Sequence, residues 1–346
     1  MKLYAGSYTE FVGDGLEGHG EGIYVFEFEE SDGFLKLLFK GKNRNTSYLS
    51  LNEDKKLLYT FQELSEDKSP KLLTYSIQDN NLELLHEQEI EGGLPCHLQK
   101  LKNHDLLAVA CYQTGNVVLF PLDEKGMPQP AVQNIRHEGS SVNKVRQEAP
   151  HAHMAYSNPR GLVYVPDLGI DKIMVYQVVG GKLKRVDQIE VPMGRGPRHI
   201  DFHPSNKYAF VMNELTGDVS LLKNDGRKFR WEKNLLSLPK ALEEDAASSA
   251  IKVDRSGQFI YCGDRSNHCI SILKFDIETE SLTLAGNQET FGKTPRDFTL
   301  SPSGKWLIAA NQDSDSIVVF EVDKQSGLLT KTHENKEAAS VVCLKF

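Results

Sequence analysis

The side chains in this sequence that could do chemistry are imidazoles, guanidiniums and one well-placed carboxylate. His151 and His153 stand two apart in Pro150-His151-Ala152-His153, so on an extended strand they share a face. Arg198, Arg265 and Arg296 each sit in a short polar motif: Gly196-Pro197-Arg198-His199, Asp264-Arg265-Ser266-Asn267 and Pro295-Arg296-Asp297-Phe298. Glu214 ends the apolar run Tyr208-Ala209-Phe210-Val211-Met212-Asn213. Burial there is expected to raise its pKa and make it a usable base. A neutral imidazole or a carboxylate can take a proton from water, and a guanidinium can hold an oxyanion, a carboxylate or a phosphate in a bidentate fork. The chemistry these groups suit is attack on a carbonyl by base-activated water. The candidate catalytic residues are His153, Glu214 and Arg198, with His151 as the rival imidazole. Arg265, Arg296, Gln312 and His97 are the candidate substrate-binding residues. No Ser-His-Asp order and no nucleophile elbow is visible, so no acyl-enzyme is expected.

Each of these readings has a plainer competitor. Arg198 and Arg296 could pair with the nearby Asp201 and Asp297. The His151/His153 spacing would suit a metal, but no third ligand can be named, so neither metal nor cofactor is expected. Gly13-Asp14-Gly15-Leu16-Glu17-Gly18 matches a dinucleotide fingerprint in letters only, because a strand-like segment follows it where a helix is required. The five cysteines form no Cys-x-x-Cys pair and read as free, buried thiols in a reducing compartment. Asn45-Thr46-Ser47 is a glycosylation sequon, idle in a chain whose start shows no secretory h-region.

Composition narrows the partners. The 346 residues carry 40 Lys plus Arg against 48 Asp plus Glu, a net charge of −8 that repels a phosphate backbone. No apolar run approaches the roughly 18 residues of a membrane span. The expected partner is a small anionic metabolite, with no nucleic acid and no membrane. The expected location is the cytoplasm, and the expected state a monomer or homodimer.

The elements that must position these residues repeat. Apolar second-strand segments centred on Tyr59, Val109, Tyr164, Phe210, Tyr261 and Ile308 recur at steps of 50, 55, 46, 51 and 47 residues. The opening Lys2-Leu3-Tyr4-Ala5-Gly6-Ser7-Tyr8 is a further copy without its first strand, and Ser340 to Phe346 supplies that strand from the other end. Seven four-stranded units of this length predict an all-β, seven-bladed β-propeller spanning 1–346 as one domain, closed by pairing of the N- and C-terminal strands. Residues 129–148 read as a long irregular loop between blades, and 238–245 as one short helix.

In a propeller, the start of each first strand and the end of each second strand meet at one mouth of the central channel. The repeat places Ser47, His97, His153, Arg198, Ser249 and Arg296 in the first set. It places Tyr8, Glu63, Gln113, Leu168, Glu214, Arg265 and Gln312 in the second. A purely structural position would repeat one residue type, whereas these mix His, Arg, Glu and Gln. Asp167, Asn213, Asp264 and Asn311 fit the structural role of holding turn backbone at strand ends.

Several of these stretches, in order, resemble the lactonase family of seven-bladed propellers, which includes propeller-type 6-phosphogluconolactonases and a fungal carboxymuconate lactonising enzyme. They are Pro150-His151-Ala152-His153, Asp167-Leu168-Gly169-Ile170-Asp171, Gly196-Pro197-Arg198-His199, Asn213-Glu214-Leu215, Asp264-Arg265-Ser266-Asn267, Pro295-Arg296-Asp297-Phe298 and Ala310-Asn311-Gln312-Asp313. The resemblance implies a central His, Arg, Glu, Arg site, with the second arginine either Arg265 or Arg296. It implies a lactonase, first of all one converting 6-phosphogluconolactone to 6-phosphogluconate in the pentose phosphate pathway. A lactonising cycloisomerase acting on a carboxylated substrate is the enzymatic variant. A non-catalytic binding module is the other class, and it would favour an apolar mouth over this charged one.

Overall fold

The computed structural model describes residues 1–13, 16–242 and 246–346. Among them lie seven four-stranded antiparallel sheets, the blades of a propeller. Six run through the chain in order, as in Pro295–Leu300, Trp306–Asn311, Ser316–Val322 and Leu329–Asn335. The seventh joins the two ends. Val341–Lys345 pairs with Lys2–Ser7, setting Ala5 opposite Leu344 and Gly6 opposite Cys343. The last strand is therefore the inner strand of the blade in which the chain begins, and the ring has no open seam there.

The packing explains why the second strands read as unbroken apolar runs. In Leu106–Cys111 every residue is buried. Leu107, Val109 and Cys111 face the preceding blade, and Leu106, Ala108 and Ala110 face the following one. The two-residue period of a strand thus fills two interfaces at once. Outer strands such as Leu82–Glu89 are mostly exposed and correspondingly polar. The five cysteines are free and buried.

Two local expectations change. The stretch 129–148 is not all loop: Gln133–Arg136 is the outer strand of its blade, paired with Asn116–Pro121. The helix expected at 238–245 is a single 3-10 turn at Lys240–Leu242, and 243–245 fall outside the described residues. The discarded glycine fingerprint also lies partly outside them, at positions 14 and 15, and the strand Gly22–Phe28 follows it.

Candidate active site

Two backbone devices build the site. The first is a bulge at the start of the inner strands. Pairing jumps between Pro95 and His97, between Pro197 and His199, and between Pro295 and Asp297. The extra residues are Cys96, Arg198 and Arg296, and a bulge re-aims the side chain it inserts. All three point into the channel beside His153 and Ser47. The second device is a hydrogen bond repeated around the ring. The residue just past each second strand donates its N–H to a carbonyl ahead of the first strand: Tyr8 to Ser340, Glu63 to Asn45, Tyr112 to Leu94, Leu168 to His151, Glu214 to Gly196, Arg265 to Ala247 and Gln312 to Thr294, at 2.8–3.1 Å.

These rings enclose a cavity of about 340 Å³, walled by Glu63, Cys96, Tyr112, Arg146, His151, His153, Glu214, Arg265 and Arg296. At its centre Glu214, 3% exposed, binds three guanidiniums. Arg146 Nη2 donates to Oε1 at 2.6 Å, Arg265 Nη2 lies 3.1 Å from the same oxygen, and Arg198 Nε donates to Oε2 at 2.9 Å. The expectation that Glu214 is a base with a raised pKa is corrected here. Burial alone would push its carboxyl up, but Arg265, Arg198 and Arg146 outweigh it and hold the group well below the usual carboxylate range. Glu214 is a fixed anion that gathers arginines.

His153 is the contrasting group. Burial, reinforced by Arg198, pushes its imidazole well below the ordinary value despite the opposing Glu214, so it is neutral at physiological pH. The Tyr112 ring stands edge-on to it, with centroids 5.6 Å apart. Its Nδ1 faces the Cys96 sulfur at 3.9 Å. Burial keeps that thiol protonated, which removes it as a nucleophile. His151 is committed elsewhere: Nδ1 donates to the Tyr112 carbonyl at 2.9 Å, Nε2 lies 3.2 Å from Glu148 Oε1, and the ring stacks on Tyr112. These contacts fix the Tyr112 ring against His151. Among the described residues no three His, Cys, Asp or Glu side chains converge as a metal site.

The far wall is Arg296, whose guanidinium lies 5.3 Å over the Tyr8 ring. Its Nη1 is buried with no hydrogen-bond partner among the described residues. Beside it, Glu63 accepts hydrogen bonds from the hydroxyls of Ser47 and Tyr8, the latter at 3.1 Å. Burial raises the Glu63 carboxyl in spite of Arg296.

Arg265 and Arg296, the two candidates for the second site arginine, both line the cavity. Arg198 pairs with Glu214 and not with Asp201, whose oxygens accept the N–H groups of Phe202 and Val253. Two candidates are not brought to the cavity. His97 falls one residue past the bulge and lines the other end of the channel. Gln312 occupies its ring position but turns its amide to Asp313, at 2.9 Å. The repeat alignment is likewise one residue off at Gln113, because Tyr112 makes the ring hydrogen bond. Asp167, Asp264 and Asn311 hold backbone groups as expected; Asp167, for example, accepts the His151 and Gly169 N–H groups at 2.7 and 3.0 Å, whereas Asn213 donates to the side chains of Asp218 and Ser220 at 2.7 and 2.9 Å.

Arg146 is the largest omission from the sequence reading. It comes from the irregular part of 129–148, which the fold anchors tightly. A Cβ on Gly169 would lie 1.8 Å from the Ala149 carbonyl oxygen, so only glycine lets the loop close against this blade. Gln147 then donates to the Leu168 carbonyl at 2.8 Å.

A family model described as lactonase, 7-bladed beta-propeller, matches residues 2–346. The chain belongs to the seven-bladed β-propeller lactonase family. At the level of the family it is therefore a lactonase, a carboxylic ester hydrolase. A 6-phosphogluconolactonase of Bacillus subtilis is 33% identical to it over 345 residues, 98% of each chain. A crystal structure from Bacteroides fragilis superposes with a TM-score of 0.90 at 29% identity, covering 99% of this chain and 97% of that one. A periplasmic gluconolactonase of Pseudomonas aeruginosa superposes at 0.89 with 26% identity, covering 99% and 98%. No helix among the described residues is long and apolar enough to cross a membrane.

Proposed function

We propose that this lactonase opens 6-phosphogluconolactone to 6-phosphogluconate, as a cytoplasmic step of the pentose phosphate pathway, with His153 as the base. The observation that carries the reading is the pairing of a neutral, buried imidazole with buried guanidiniums around one cavity, one of them with an unpartnered N–H. Three arginines line it, Arg146, Arg265 and Arg296, and a fourth, Arg198, binds the Glu214 in its wall, in a chain whose net charge is −8. That local excess suits a phosphorylated substrate.

In this mechanism His153 takes a proton from water as the water oxygen bonds to the lactone carbonyl carbon. The carbonyl oxygen becomes an oxyanion, stabilised by the arginines that Glu214 holds in place. The tetrahedral intermediate collapses, the bond from that carbon to the ring oxygen breaks, and the imidazolium returns its proton to the ring oxygen. The new carboxylic acid then ionises, so one proton leaves per turnover. Glu214 is a positioning residue, and Arg296 is the oxyanion or phosphate contact with N–H capacity to spare.

The test is lactone disappearance with 6-phosphogluconolactone and with gluconolactone, each corrected for spontaneous hydrolysis. The expected result is a kcat/KM at least tenfold higher for the phosphorylated lactone. Equal values, or preference for gluconolactone, would move the substrate to an unphosphorylated sugar.

A further inference from the structure

The inner strands begin at the active site and end at the opposite mouth of the channel. There they frame a separate cavity of about 410 Å³ that the proposed reaction does not use. Tyr48, Tyr156 and His97 form its aromatic wall, and Lys252 and Lys345 bring two ammonium groups to it. Lys345 is held in place: its Nζ donates to the Tyr48 hydroxyl at 3.1 Å and sits 4.4 Å over the Tyr48 ring. Neither lysine forms an ion pair among the described residues, although most carboxylates nearby are already engaged. Glu53 binds Lys100 at 3.2 Å, and both oxygens of the half-buried Asp201 accept backbone N–H groups at 2.8 and 2.9 Å. His97 is neutral, pushed down by burial and by the two lysines. The result is a concave, aromatic-walled site with two positive charges, neither of them paired with a carboxylate among the described residues.

We propose that this lower mouth is a second binding site, for a phosphorylated, sugar-sized metabolite that is bound there and not turned over. The volume falls in the range of small-ligand pockets, about 300–1,000 Å³. Two ammonium point charges suit the non-directional recognition of a phosphate monoester. Flat aromatic faces suit the apolar side of a sugar ring. The inference is independent of the lactonase chemistry, because it uses none of the groups at the upper mouth.

Calorimetric titration with glucose 6-phosphate, which has no lactone to open, tests it. The wild-type protein is compared with Lys252→Gln, with the double variant Lys252→Gln/Lys345→Gln, and with Arg296→Gln at the upper mouth. The expected result is a binding event that Arg296→Gln keeps and that the lysine variants weaken about tenfold or more, with lactone hydrolysis and melting temperature unchanged in Lys252→Gln. The Lys252 side chain makes no hydrogen bond among the described residues, and its backbone stays paired in its strand, so this single variant keeps the test valid if the double variant folds poorly. Absence of binding to the wild-type protein, or binding that Lys252→Gln leaves intact and Arg296→Gln removes, overturns the proposal. Both outcomes are read from heats of binding and stand whether or not a lactone is ever turned over.

Discussion

Replacing Glu214 by Gln separates the two roles its position allows. The carboxylate pairs with three guanidiniums, accepting hydrogen bonds from Arg146 and Arg198 at 2.6 and 2.9 Å and lying 3.1 Å from Arg265. Glutamine keeps the shape but has one acceptor oxygen, and it turns N–H donors toward at least one arginine. Uncoupling a buried ion pair by removing one charge costs about 3–5 kcal/mol. An unfolding entropy of about 2.1 cal/mol/K per residue, over 346 residues, gives about 0.7 kcal/mol/K. The melting temperature of Glu214→Gln should therefore fall by roughly 4–7 °C. Its kcat/KM should fall about 100-fold, the scale of losing one oyxanion donor, because the arginines lose their common anchor. The acid limb, which belongs to His153, should persist but move to lower pH, since Glu214 no longer opposes the lowering of that imidazole. Calorimetry and a rate profile from about pH 4.5 to 7.5 read all three quantities. An unchanged melting temperature together with loss of the acid limb would refute the reasoning and restore Glu214 as the titrating base.

Further outcomes follow from the same geometry. Burial lowers the pKa of His97, His153 and His199. Below about pH 6.5 the unfolded chain then binds up to three more protons than the folded one, and stability should fall by up to about 4 kcal/mol per pH unit as the pH drops. Glu63 is raised and works in the opposite sense, gaining stability as the pH falls toward its unfolded value. Denaturant melts at pH 7.5 and 5.5 check the net slope, and equal stability at both would contradict it. Deleting residues 340–346 removes four buried apolar side chains, Val341 to Leu344, worth about 8 kcal/mol. The melting temperature should drop by about 10 °C or more, and a deletion variant that melts like the full chain would rule out the closure. Arg146 has a side chain 41% exposed at the rim, so Arg146→Ala should raise KM for the phosphorylated lactone about tenfold while shifting the melting temperature by no more than about 2 °C.

The propeller was legible because its physics is periodic. Each second strand must be apolar on both faces, and a chain that begins one strand short of a blade must find that strand at its other end. The site was legible where it follows the same period, at His153, Arg198, Glu214, Arg265 and Arg296. It was not legible where the period breaks. A bulge adds one residue without leaving a mark in the apolar pattern, so counting from the strand selected His97 where the fold presents Cys96. Counting also placed Gln113 where Tyr112 stands. Only the Pro-x pairs at Pro95, Pro197 and Pro295, read together, carried that signal. Arg146 lies in an irregular loop whose path depends on contacts such as Gly169 against Ala149, and repetition says nothing about it. The sign of the Glu214 shift was also out of reach, since burial and three guanidiniums act in opposite directions and only their distances decide between them.

The proposed reaction rests on a neutral His153 activating water against a lactone held by arginines. Its most direct test is the initial rate of 6-phosphogluconolactone loss, above the spontaneous rate, for the wild-type protein and for His153→Ala at equal melting temperature. The expected result is a fall in kcat of about 100-fold or more, the contribution of a true general base. Turnover by His153→Ala within a few-fold of the wild-type rate would contradict it.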